Sequence, residues 1–184
     1  AYARSRSPPV RACIADLERA YAENGAAFRA EALALLEARG YEAHEGLQDP
    51  AKPKWSYADV DDSTLEVSRP TIDRAVAAVR RTCGLQAAGI SRLEPGAAIR
   101  PHTGPTNRRW TLHLGLVVDA ADVDRLTLTV AGTARAGAWV QGKVVLFDDS
   151  YEHDVVHAGA RDRVVLDLSV DHPSFFLRGG RGEL

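Results

Sequence analysis

His102 follows Pro101 directly and opens the turn "HTGP", while His153 closes the acidic turn "DDSYEH" and precedes the extended "DVV". Two imidazoles at the mouths of strands can converge on one metal ion, and imidazole nitrogen suits iron, zinc, copper and nickel. Either histidine alone could equally be an exposed or structural residue. Arg163 opens "RVVLDLSV". Its guanidinium could fork onto a carboxylate or simply sit at the surface, as Arg161 is expected to do. Glu152 and Asp154 flank His153. Alternation points both away from it, so neither is a good third ligand.

The elements that must position these groups change character along the chain. Val10, Cys13, Ile14, Leu17 and Tyr21 recur at helical spacing, and so do Phe28, Ala32, Leu35 and Leu36 up to Gly40. Ile72, Ala75, Val76, Val79 and Cys83 form a third such stripe, with Pro70 ahead of it and Gly84 behind. Residues 46–68 read as irregular, and their position suggests a lid over a shielded site. From there the period becomes two. In "WTLHLGLVV", Trp110, Leu112, Leu114, Leu116 and Val118 share one face, and Thr111, His113 and Gly115 the other. Val164, Leu166, Leu168 and Val170 share a face from which Arg163, Asp167 and Ser169 turn away. Leu126–Val130 alternates too, and short strands fit Ala88–Leu93, Ala138–Val140 and Lys143–Phe147. Many short strands between Gly, Pro and Asp turns imply a sandwich or barrel, with the N-terminal helices covering one face.

The chain has 184 residues, a length that favours one domain: a helical part over about 1–84 and a β core over about 86–173. Net charge is −2, so nothing in the balance asks for nucleic acid or an anionic membrane surface. No apolar run approaches the roughly 20 residues that cross a bilayer, and no signal peptide is visible at the start. There is no methionine, which suggests a removed start residue or excision from a longer protein. The two cysteines, Cys13 and Cys83, lie on apolar stripes. They are expected to be buried free thiols, in keeping with a cytoplasmic location.

"SRLEPGAAIRPHTGPTNRRWTLHLGLVV", then "GKVVLFDDSYEHDVV" and "RVVLDLSVDHP", resemble in order and spacing the aspartyl/asparaginyl β-hydroxylase family, over about Ser91 to Pro173. The resemblance implies an α+β fold with a mainly β core: a double-stranded β-helix, jelly-roll or cupin-like, with the N-terminal helices packed on one sheet. It implies an Fe(II)- and 2-oxoglutarate-dependent dioxygenase that uses O2, hydroxylates an unactivated C–H bond and releases succinate and CO2. His102 and His153 would be the catalytic iron ligands. Gly104 stands where a third, carboxylate ligand would be expected, in agreement with this family's two-histidine habit. Arg163, Ser91 and His113 would bind 2-oxoglutarate. Asp149 would orient a ligating histidine, or else serve as a turn acid.

The substrate implied is an aspartyl, asparaginyl or other amino-acid-derived group, free or in a peptide, hydroxylated at the β-carbon. Arg109 and Arg100 are near enough in sequence to bind its carboxylate, and Trp55 could line its pocket or belong to the core. Some family members carry a substrate-binding arginine where this chain has Thr111, which puts aspartyl specificity in question. Two rivals remain at this stage. Gly104 would leave room for chloride in a 2-oxoglutarate-dependent halogenase, and a jelly roll without turnover would be an inactive binding module.

Overall fold

The computed structural model describes residues 7–40, 47–48 and 55–176. Helix α1, Pro8–Arg39, begins on two prolines whose missing N–H groups cost little in a first turn. The two expected N-terminal stripes form this single element, which bends at Asn24 (φ −130°, ψ 22°), where the side-chain amide donates to the Ala20 carbonyl. The bend lets both stripes face one surface: Val10, Cys13, Leu17, Tyr21, Phe28, Ala32, Leu35 and Leu36 are all buried. Helix α2, Pro70–Cys83, has Arg69 at its N-cap position and no side-chain cap of its own. Glu31 of α1 supplies one, accepting from the Thr71 and Ile72 amides at 3.0 and 2.9 Å.

Cys13 of α1 and Cys83 of α2 form a disulfide. This overturns the expectation of free thiols, and with it the support they gave to a reducing compartment. Periodicity placed each cysteine on an inward face but carried no information that the two faces meet.

The β core is two antiparallel sheets. The larger runs β1(Trp55–Asp59), β2(Leu85–Leu93), β9(Arg163–Asp171), β4(Arg109–Val117), β7(Val144–Phe147) in spatial order. The smaller runs β3(Ala98–His102), β8(His153–His157), β5(Leu126–Val130), β6(Thr133–Ala136). This is an α+β double-stranded β-helix. On β4 and β9, Leu112, Leu114, Leu166, Leu168 and Val170 face the helices and build one core with them. Val165, Val145, Phe147, Leu128 and Val155 build the second core between the sheets. Tyr21 fastens the helical layer to the larger sheet, its hydroxyl donating to the Leu116 carbonyl at 2.7 Å.

Several local expectations are corrected. Ala138–Val140 is not a strand; Trp139 there is fully buried between the sheets. A register shift between Gly115 and Val117 turns Val118 out of the β4 leucine stripe and into the inter-sheet core. Within 46–68, residues Trp55–Asp59 pair with β2 as an edge strand, so this part is no loop. The remainder of the expected lid lies partly outside the described residues, and His44 wholly so.

Candidate active site

His102 and His153 are direct partners across β3 and β8, with ring centroids 4.1 Å apart. Each is oriented in the same way. The His102 Nδ1 lies 2.8 Å from the Arg100 carbonyl, and the His153 Nδ1 lies 3.0 Å from the Tyr151 carbonyl. A carbonyl only accepts, so both Nδ1 atoms carry the proton and both Nε2 lone pairs are left for a ligand. Burial pushes His153 below the ordinary histidine value, and the neighbouring His102 adds to this. A neutral imidazole is the form that binds a metal.

Beside the pair, the Gly104 amide donates to the Asp149 carbonyl at 2.7 Å. A Cβ on Gly104 would collide with the Asp149 carboxylate, 2.6 Å from its Cγ. Asp149 therefore fills the space of the side chain that Gly104 lacks. Its Oδ2 accepts from Arg109 Nε at 3.0 Å and Nη2 at 2.9 Å, while its buried Oδ1 has no partner. The expectation that Asp149 orients a ligating histidine is corrected, because backbone carbonyls do that. Among the described residues, no group of three His, Cys, Asp or Glu side chains is placed to hold a metal ion. A metal held by these two imidazoles would have to take its remaining ligands from elsewhere than a third such side chain among the described residues.

Both histidines open onto a cavity of about 370 Å³ between the sheets. The larger sheet supplies the opposite wall. Arg163 lines it although only 1% exposed, and Nη2 donates to Ser91 Oγ at 3.2 Å. The guanidinium lies 4.9 Å from the Trp139 ring centroid, its Nε is buried without a partner, and it makes no ion pair among those found in the described residues. Desolvation pushes it down to about 10. A buried cation in this state fits an anionic ligand arriving from the cavity. His113 accepts from Trp139 Nε1 at its Nδ1 (3.1 Å), so its Nε2 carries the proton. That N–H faces the cavity, where Asp167 Oδ1 is 3.5 Å away.

The structure brings together Ser91, His102, His113, Arg163, Asp149, Arg109, Thr111 and Trp55, all on the cavity wall. Trp55 is half-buried, and its Nε1 donates to Ser91 Oγ at 3.0 Å. Arg100 is not brought in: its side chain is exposed on β3, and only its carbonyl serves the site, through His102. Arg109 gives Nε and Nη2 to Asp149, so the bidentate fork expected for a substrate carboxylate is already spent on this aspartate. Of the remaining histidines, His157 is buried in hydrogen bonds with the Arg161 carbonyl and the Gly159 amide, and His172 packs edge-on to Trp110. Tyr57, Asp167, Ser169 and Phe147 also line the cavity and were not singled out from sequence. For Asp167 and Ser169 the signal was present, since both share Arg163's face of β9.

Residues 22–173 match the family model described as aspartyl/asparaginyl beta-hydroxylase. The chain is 40% identical over 83 residues to the aspartyl/asparaginyl beta-hydroxylase of Mus musculus, covering 45% of this chain and 10% of that protein. It is 40% identical over 97 residues to the ornithine lipid ester-linked acyl 2-hydroxylase of Rhizobium tropici, covering 53% of this chain and 34% of the relative. It therefore spans only a fraction of the length of these relatives. The fold is similar to that of a Pseudomonas putida prolyl-4-hydroxylase, with a TM-score of 0.53 and 20% identity over 86% of this chain and 98% of the other. It is also similar to AviO1 from Streptomyces viridochromogenes Tue57, with a TM-score of 0.58 and 14% identity over 88% and 96%. At such identities the two structures speak to the fold alone. With the family model matched across both sheets and most of the helical layer, the chain belongs to the aspartyl/asparaginyl β-hydroxylase family.

Proposed function

We propose that this chain is an Fe(II)- and 2-oxoglutarate-dependent dioxygenase that hydroxylates an unactivated C–H bond of an amino-acid-derived substrate, at its β-carbon. The observation that carries this reading is the buried guanidinium of Arg163, in no ion pair among the described residues, across the cavity from two histidines whose Nε2 atoms are left for a ligand. Fe(II) with 2-oxoglutarate supplies the oxidising chemistry, in which O2 is consumed, succinate and CO2 are released and one oxygen atom enters the substrate. The protein's part is binding, aim and exclusion of water. His102 and His153 hold the metal as neutral imidazoles. Arg163 and Ser91 bind the distal carboxylate of 2-oxoglutarate, and the His113 Nε2–H donates a further hydrogen bond. Phe147, Ile99 and Val155 keep the histidine side of the cavity apolar. The Asp149 carboxylate fills the space beside Gly104, which counts against the halogenase alternative, since that reading rests on the room the glycine would leave for chloride.

The test is anaerobic. Fe(II) and 2-oxoglutarate added to the apo-protein should give a visible charge-transfer band that His102→Ala and His153→Ala lose while remaining folded by circular dichroism. In air the parent should release succinate. A folded parent, supplied with iron, that shows neither band nor succinate would refute the proposal and favour a binding module.

A further inference from the structure

We propose that Asp167 sets the substrate class of this site: its carboxylate selects a substrate carrying a cationic nitrogen, an ammonium or a guanidinium, near the C–H bond that reacts. This rests on the dioxygenase reading above. The charges facing the cavity can be assigned one by one. Arg109 is neutralised by Asp149. Arg163 is the seat of the cosubstrate's distal carboxylate. His102 and His153 present lone pairs. Asp167 is the acid left over. It lines the cavity with its side chain 26% exposed; among the described residues its ion-pair neighbour is His113 Nε2 at 3.5 Å, too long for a good hydrogen bond, and its field also reaches Arg163 without an ion-pair contact.

The groups around Asp167 are of matching chemistry. Thr111 and Ser169 are paired across β4 and β9, one step along from the His113–Asp167 pair, and both offer hydroxyl oxygens to the same cavity. The Tyr57 phenol lies nearby and is kept un-ionised, its titration pushed up by burial and then by Asp167. Hydroxyls and one carboxylate make an acceptor-rich wall. A substrate carboxylate placed beside Asp167 would meet like charge, and the cavity arginine Arg109 already gives its Nε and Nη2 to Asp149, whereas an ammonium or guanidinium would form a charge-assisted hydrogen bond.

The test uses the full chain and a fixed panel: L-arginine, L-lysine and L-ornithine against L-aspartate, L-asparagine and L-leucine, each free and as the centre of a Gly-X-Gly tripeptide. Two readouts are taken, substrate-stimulated succinate release and calorimetric affinity in the presence of Mn(II) and 2-oxoglutarate. Basic probes should bind and stimulate. Asp167→Asn should reduce their advantage by about 10- to 100-fold, the worth of one charge-assisted hydrogen bond, with 2-oxoglutarate still bound. Thr111→Arg, which places a guanidinium beside Asp167, should reduce it too and keeps the test alive if Asp167→Asn misfolds. Acidic or neutral probes that match the basic ones would overturn the inference. So would an Asp167→Asn protein that keeps the preference but binds 2-oxoglutarate weakly, since Asp167 would then act by positioning His113. A parent with no charge-transfer band and no succinate even without substrate would mark failure of the dioxygenase reading itself, and this inference would fall with it.

Discussion

Replacing Arg163 with methionine separates a functional role for this residue from a structural one. The side chain is fully buried, and desolvation pushes it well below the ordinary guanidinium value, to about 10. That difference corresponds to roughly 3 kcal/mol spent on keeping the charge inside, all of it present at neutral pH. The guanidinium recovers part of this from Ser91 and from the Trp139 ring. Methionine fills much of the same volume without a charge, so apo Arg163→Met should be no less stable than the parent, and more stable by up to about 3 kcal/mol. For a chain of this size that is a Tm rise of up to about 10 °C. Ligand response should reverse the order. A ligand at 100 times its Kd adds about 2.7 kcal/mol. Differential scanning fluorimetry with Mn(II) and 2-oxoglutarate should therefore show a clear upward shift in the parent and almost none in the variant. An apo variant that melts well below the parent, yet is still stabilised by 2-oxoglutarate, would refute the reasoning, because Arg163 would then be structural.

Three further outcomes follow from the geometry. Gly104→Ala should displace the Asp149 carboxylate, loosen its hold on Arg109 and destabilise the fold by about 1–3 kcal/mol in urea unfolding; an unchanged midpoint would show that the contact is slack. Glu31→Ala should destabilise the fold by about 1–2 kcal/mol in urea unfolding, since it removes the cap of α2, while leaving the charge-transfer band in place. Burial lowers His157 in the folded state, so the unfolded chain takes up the proton first: stability is complete above about pH 6.5 and falls below it, by up to about 1.4 kcal/mol per pH unit for each such histidine. Urea midpoints between pH 7.5 and 5 should show this decline, with a shallower slope in His157→Gln.

The strand faces and the site were legible to different extents, for physical reasons. Alternation separated Leu112 and Leu114 from Thr111 and His113 because a side-chain period of two needs only local sequence. The "PHTG" and "YEH" segments exposed the two histidines because turn residues and imidazoles coincide there. Pairings over distance were not legible. The Cys13–Cys83 disulfide, the Arg109–Asp149 pair and the Glu31 cap each join segments whose meeting depends on the packed fold. Strand β1 was missed because "WSYAD" is short and follows prolines and lysines, and only pairing with β2 makes it a strand. Arg100 was misjudged because nearness in sequence to His102 says nothing about which side of β3 a side chain takes.

The histidines stand on one sheet, on β3 and β8, while Arg163, Ser91 and His113 stand on the other. Under the proposed assignment the cosubstrate works as a crossbar, with one end at the metal and the other at the guanidinium. Its carbon count is then a gauge of the gap between two independently hydrogen-bonded layers. Oxaloacetate, one carbon shorter, would fall short of Arg163, and 2-oxoadipate, one carbon longer, would have to buckle. Discrimination among diacids would thus come from how far the sheets are held apart, and the cores on either side of the larger sheet would act as its spacers.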